Sequence, residues 1–182
     1  LKGTIKVNVE KCMGCQRCRL ACFVEHSQSK NLLGAIREAQ EGETRPWSNM
    51  HIRKVGVVSV PTSCHHCPAA VCMAACPTGA MFRTGPNEPV MVDNDLCVGC
   101  GNCVIVCPYG VPQLTPDHSH IQKCDQCVER VREGLEPACV EACPTGCLEF
   151  VVEGEEAEEA AGAVMDLYRR ILESQSEVEA KR

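Results

Sequence analysis

The chain has 182 residues and a formal net charge of −6, and 17 of its residues are cysteine, against one Trp, two Tyr and three Phe. No run of about 18 apolar residues occurs, which excludes a membrane-spanning helix from the sequence. Residues 153–182 hold nine acidic and four basic side chains, so the tail carries −5 and the body −1; a body this close to neutral lacks the basic face that nucleic-acid binding requires. The start, LKGTIKV, has neither an apolar signal core nor a twin-arginine pair, and a first residue of Leu1 leaves room for a removed leader.

Taken in chain order, residues 4–9 alternate apolar and polar side chains and predict a strand. Cys12, Cys15, Cys18 and Cys22 follow with the spacing C-x2-C-x2-C-x3-C. The next 41 residues, 23–63, are long for a connection. Within them residues 29–39 predict a short helix, and residues 41–49, polar with Gly and Pro, predict a loop. Such an excursion is either partner surface or a solvated detour. Its Trp47 is a candidate interface anchor and equally a candidate core residue. Residues 52–60, rich in β-branched side chains, predict a strand.

A second quartet, Cys64, Cys67, Cys72 and Cys76, widens one gap to four residues. His65 and His66 lie inside it, but four thiols already complete the set, so a supporting or exposed role is expected for both. Residues 90–93 predict a short strand before the third quartet, Cys97, Cys100, Cys103 and Cys107, which repeats the spacing of the first. His118 and His120 fall in a Pro/Asp/Ser loop and are expected to be solvated. The fourth quartet is Cys124, Cys127, Cys139 and Cys143, with a gap of eleven. Cys147 is left over and reads as a packed free thiol. Residues 148–152 predict a closing strand. In residues 155–179, Ala157, Ala161, Val164, Met165, Tyr168, Ile171 and Leu172 recur at helical steps. They predict an acidic amphipathic helix, with Gly162 as its weak point. It reads first as packing on its own domain, and second as docking on a partner or a second copy.

Three thiols at C-x2-C-x2-C lie on one tight loop able to curl over three corners of an iron–sulfur cube, and a fourth, three residues on, begins a helix and reaches the neighbouring cluster. Pro77, Pro108 and Pro144 directly follow the last thiol of three quartets, where a residue without N–H turns the chain away; Phe23 stands there in the first. Gly14, Gly99 and Gly101 let the backbone approach the inorganic core. Disulfides need an oxidising compartment and suit an even count. Zinc needs two cysteine pairs rather than four thiols within eleven residues. Four 4Fe–4S clusters are therefore expected, each adding a formal charge of about −2 with its thiolates. No P-loop, dinucleotide fingerprint or nucleophile elbow accompanies them.

These quartets, with their gaps of four and eleven, resemble the four-cluster, ferredoxin-like electron-transfer subunits of the dimethyl-sulfoxide-reductase type, over about residues 4–152. Related subunits serve formate dehydrogenases, hydrogenases and carbon monoxide dehydrogenase. The segment CFVEHSQSKNLLGAI, residues 22–36, is most similar to the soluble subunit accompanying carbon monoxide dehydrogenase, with similar segments in subunits of tungsten aldehyde oxidoreductases. The resemblance implies a crossed ligation scheme. One cluster would take Cys12, Cys15, Cys18 and Cys143, and its neighbour Cys22, Cys124, Cys127 and Cys139. A third would take Cys64, Cys67, Cys72 and Cys107, and the last Cys76, Cys97, Cys100 and Cys103.

The fold class that follows is α+β: two bacterial-ferredoxin-like modules, one inserted in the other, plus a C-terminal helix. Residues 1–50 and 113–152 would form the outer module, residues 51–112 the inserted one, and residues 153–182 the helix. The repeated Cys-Pro-Thr-Gly at residues 76–79 and 143–146 points to internal duplication. The expected function is a non-catalytic, cytoplasmic electron-transfer subunit, meeting a catalytic oxidoreductase subunit at one end and a redox acceptor at the other, with self-association open. A stand-alone polyferredoxin is the alternative, and a zinc-organised scaffold a remote one.

Overall fold

A computed structural model describes residues 3–41, 47–86 and 88–152. The expected C-terminal helix lies outside the described residues.

Strand β1, Gly3–Val7, pairs antiparallel with β8, Leu148–Val152, setting Ile5 against Phe150 and Val7 against Leu148. The two ends of the described residues thus share one ribbon. Three more ribbons follow the same two-stranded plan: β2 (His51–Val55) with β3 (Val58–Thr62), β4 (Met81–Phe82) with β5 (Met91–Val92), and β6 (Gln113–Leu114) with β7 (Ile121–Gln122). The strand expected over residues 52–60 is this β2–β3 hairpin. Gly56 adopts φ +59°, a left-handed conformation that a two-residue hairpin turn needs, and so folds the β-branched run back on itself. Val57 at the tip is fully exposed.

The helices are short. They are α1 (Arg17–Glu25), α2 (Leu32–Glu41), α3 (Val71–Ala74), α4 (Asn102–Val106), α5 (Val128–Arg132) and α6 (Ala138–Glu141). α2 is the helix expected in the insertion, shifted toward its C-terminal side. Asn31 caps it by accepting from the Gly34 N–H at 2.9 Å, and Glu38 turns back to accept the Gln28 and Ser29 N–H groups at 3.0 and 2.8 Å. Ala35 is its buried residue, whereas Leu32, Leu33 and Ile36 stay exposed.

Helix α1 packs on α6, and α3 packs on α4. Ile5, Met50, Val140 and Leu148 form a core with Cys18, Cys22, Cys139 and Cys147 around the first pair, and Met81, Val90 and Ile121 form one with Cys103 near the second. Sulfur replaces the aromatic side chains that the composition lacks. The described residues thus combine short helices with two-stranded ribbons.

Candidate metal centres

Four short helices each tie two cysteines into neighbouring groups. Cys18 and Cys22 lie on α1 four residues apart, a rise of about 6 Å at 1.5 Å per residue, on one face. Cys139 sits on α6 and Cys143 just beyond it; likewise Cys72 sits on α3 with Cys76 just beyond it, and Cys103 on α4 with Cys107 at its end. The first member of each pair goes to one group and the second to the next.

Three of the resulting groups surround cavities. Cys12, Cys15, Cys18 and Cys143 line site A, and Cys147 shares its wall. Cys64, Cys67, Cys72 and Cys107 line site C, and Cys76, Cys97, Cys100 and Cys103 line site D. Cys22, Cys124, Cys127 and Cys139 form site B, in which all four side chains are buried. Within B, burial and then Cys22 push up the thiol of Cys139, burial and then Asp125 push up that of Cys124, and Cys127 is pushed to about 11 by burial and by Asp125.

The sites adjoin in the order A, B, C, D. Cys139 of B is raised further by the charge of Cys18 of A, Cys124 of B by that of Cys64 of C, and Cys103 of D by that of Cys72 of C. Burial is the leading cause in each case. The end sites are the accessible ones: Cys15 of A and Cys100 of D are exposed.

One backbone device recurs in all four quartets. The residue before the second cysteine takes a left-handed conformation: Gly14 at φ +70°, His66 at +46°, Gly99 at +62° and Gln126 at +63°. This bend turns N–H groups inward, so that His66 N–H donates to Cys64 Sγ and Gln126 N–H to Cys124 Sγ, both at 3.4 Å. At Gly99 the need for glycine is twofold, because a Cβ there would stand 2.2 Å from the His118 carbonyl oxygen. The turn carrying His118 is thus more than a solvated loop, although the His118 side chain is exposed as expected.

The two Cys-Pro-Thr-Gly corners are alike in detail. Thr78 and Thr145 hydroxyls lie 3.7 Å from Cys76 and Cys143 Sγ respectively. Burial acts to raise both thiols, but N–H groups of Met81, Thr78 and Ala80 outweigh it at Cys76, and those of Leu148, Thr145 and Cys147 at Cys143, leaving both below the usual thiol range. Cys147, 2% exposed, lies beside site A, donates its N–H to Cys143 Sγ at 3.3 Å and is pushed to about 12 by burial and by Cys12.

Three polar residues at the middle sites had no signal in the sequence. His26 Nε2 stands 3.0 Å from Asp125 Oδ1, and its Nδ1 is 2.8 Å from Cys22 O and 3.6 Å from Cys22 Sγ. Burial opposes charge on the imidazole, but the Asp125 carboxylate outweighs it and holds His26 protonated, while His26 holds Asp125 at about 2 against burial. Lys123 is buried and donates to the carbonyls of Val90 and Cys124, the latter at 2.7 Å. Of the two histidines in the second quartet, His65 stacks on Tyr109 with ring centres 4.0 Å apart and is held near 4 by burial. Trp47 lines an open surface groove with Arg19, Leu20, Phe23 and His51.

The donor set fits iron–sulfur clusters. Every group is all thiol, the soft ligand such clusters take, and burial raises several of these thiols, those of Cys18, Cys103 and Cys127 to about 11, so that metal binding would have to displace their protons.

A 4Fe-4S dicluster domain matches residues 55–153, and a second 4Fe-4S dicluster domain matches residues 11–81. The probable anaerobic dimethyl sulfoxide reductase chain YnfG of Escherichia coli is 37% identical over 146 residues, covering 79% of this chain and 70% of that protein. The formate dehydrogenase iron-sulfur subunit of Haemophilus influenzae is 30% identical over 178 residues, covering 92% of this chain and 57% of that protein. The formate dehydrogenase-O iron-sulfur subunit of Escherichia coli is 31% identical over 154 residues, covering 79% of this chain and 51% of that protein. Among the described residues no helix is long and apolar enough to cross a membrane. Since the first of these matches alone takes in more than half of the chain, the protein belongs to the 4Fe–4S dicluster family.

Proposed function

We propose that the chain holds four 4Fe–4S clusters in a row and relays single electrons between a catalytic oxidoreductase subunit and an acceptor, without catalysing a reaction itself. The observation that carries this reading is the convergence of sixteen cysteines into four groups of four, each adjoining the next. Cys12, Cys15, Cys18 and Cys143 are the ligands at A, and Cys22, Cys124, Cys127 and Cys139 those at B. Cys64, Cys67, Cys72 and Cys107 serve C, and Cys76, Cys97, Cys100 and Cys103 serve D. Bound there, such clusters supply reversible one-electron storage, and four thiolates each leave no open iron position for a substrate.

The protein's part is spacing and insulation. Helices α1, α3, α4 and α6 fix the distance between neighbouring sites, and the cores around them exclude water. The β1–β8 ribbon and the α1–α6 contact support an outer module of residues 1–50 and 113–152 around an inserted module of residues 51–112. Met13 and Val98, beside Cys15 and Cys100, are 67% and 65% exposed, which supports A and D as the ends where partners dock. The catalytic partner is a carbon monoxide dehydrogenase, a tungsten or molybdenum aldehyde or formate oxidoreductase, or a hydrogenase, and the setting is cytoplasmic.

Iron and sulfide analysis of anaerobically purified protein is the test. About 16 Fe per chain, with magnetically interacting clusters on reduction, is expected. Stoichiometric zinc, or a colourless product, would overturn it.

A further inference from the structure

His66 occupies a position where two of the other quartets use glycine. Its backbone sits at φ +46°, which is unusual for a bulky side chain and is held by the surrounding structure. The residue is 8% exposed. Its Nδ1 accepts the Val90 N–H at 2.9 Å. An acceptor nitrogen carries no proton, so in the neutral imidazole the proton resides on Nε2. That Nε2–H is buried and has no hydrogen-bond partner among the described residues. Yet His66 lines site C, among Cys64, Cys67, Cys72 and Cys107. A buried donor without an acceptor is costly to leave unpaired, so its partner is to be sought in whatever fills the site.

We infer that His66 Nε2–H donates a hydrogen bond to the sulfur of the cluster at site C and raises that cluster's reduction potential. The inference rests on the ligand assignment proposed above. Val90 is the brace: its N–H fixes the tautomer of His66, and its carbonyl accepts from Lys123, which also lines the site. The reduced cluster carries one more negative charge than the oxidised one. A fixed N–H dipole therefore favours the reduced state more. His66 acts directly on the cluster through this bond and is not a ligand.

Two substitutions separate the two ends of the ring. His66→Asn keeps an acceptor where Nδ1 stands and tolerates positive φ, but it lacks the distal donor. His66→Gln places an amide N–H near Nε2 and loses the acceptor. The readout is potentiometric titration of the holoprotein followed by paramagnetic resonance, with iron per chain measured alongside. In His66→Asn one midpoint of the set is expected to fall by about tenfold in the reduction equilibrium, or about 59 mV for one electron. His66→Gln is expected to restore at least half of that fall. Full iron with all midpoints unchanged in His66→Asn overturns the inference, as does an equal fall in His66→Gln. A wild-type iron content far below about 16 per chain defeats the underlying assignment instead. Should His66→Asn lose iron, pulsed resonance of the wild-type holoprotein with ¹⁵N-histidine decides. A coupled nitrogen that persists in His65→Phe and in His26→Asn supports the bond. No coupling, or its loss in either variant, overturns it.

Discussion

His26 and Asp125, 99 residues apart in the chain, form an ion pair at 3.0 Å against the wall of site B. One comes from the end of α1 and the other from the loop before α5. The pair joins the first quartet's helix to the fourth quartet's loop independently of any metal. Asp125 Oδ1 also accepts the Cys127 N–H at 2.9 Å, so the same oxygen shapes that loop.

Asp125→Asn keeps the acceptor for Cys127 and removes the charge facing His26. Leaving one member of a half-buried pair uncompensated is expected to cost about 1–3 kcal/mol. Anaerobic denaturant unfolding of the holoprotein measures it. A midpoint unchanged in Asp125→Asn would show that the pair contributes nothing.

Lys123 is a buried ammonium whose partners are carbonyls, with no carboxylate paired to it among the described residues. Its charge lies beside site C. Lys123→Met is expected to lower the potential of the cluster there and to leave the Val90 and Cys124 carbonyls short of a donor, at about 1–3 kcal/mol. Potentiometry and thermal unfolding read the two effects separately.

Gly99→Ala places a methyl group against the His118 carbonyl oxygen at 2.2 Å. Gly134, at φ +81°, faces open space. The expected outcome is that Gly99→Ala loses the cluster at site D, about a quarter of the iron in a four-cluster chain. Gly134→Ala should keep full iron and cost about 1 kcal/mol of backbone strain. Iron quantification with both variants side by side distinguishes close approach from strain.

Cys147→Ala should retain full iron, because Cys147 is packed beside site A while Cys12, Cys15, Cys18 and Cys143 already supply four thiols. A modest loss of stability, under about 1.5 kcal/mol, is expected. Cys143→Ala should lose iron at A. Loss of iron in Cys147→Ala would reassign the site.

Removal of iron and sulfide should unfold most of the chain. Sixteen thiols occupy the places where a larger core would hold aromatic rings, and burial holds many of them neutral at a density that only bound metal makes favourable. Circular dichroism of the reduced, metal-free protein should show no cooperative melt. A native-like transition would refute this.

The quartets, the closing strand at residues 148–152 and the helix of the insertion were legible because each is a local pattern: spacing, alternation or amphipathic period. The hairpin at residues 51–62 was not, since β-branched residues on both sides of Gly56 read as one run. His26, Lys123 and Asp125 escaped for a different reason. Lysine and aspartate are ordinarily surface residues, and what makes these matter is a contact with a segment 33 or 99 residues away. For His66 the sequence supports a non-ligand role beside a complete set of thiols, but the Val90 N–H that fixes its tautomer comes from 24 residues away.

The β1–β8 ribbon also dictates an order of biogenesis. Every thiol lining sites C and D has been synthesised once the nascent polypeptide reaches Cys107, whereas sites A and B stay incomplete until Cys139 and Cys143 emerge. The ribosome thus delivers the middle of the protein ready for loading while its opening segment still waits, unpartnered, for the end of the body to arrive.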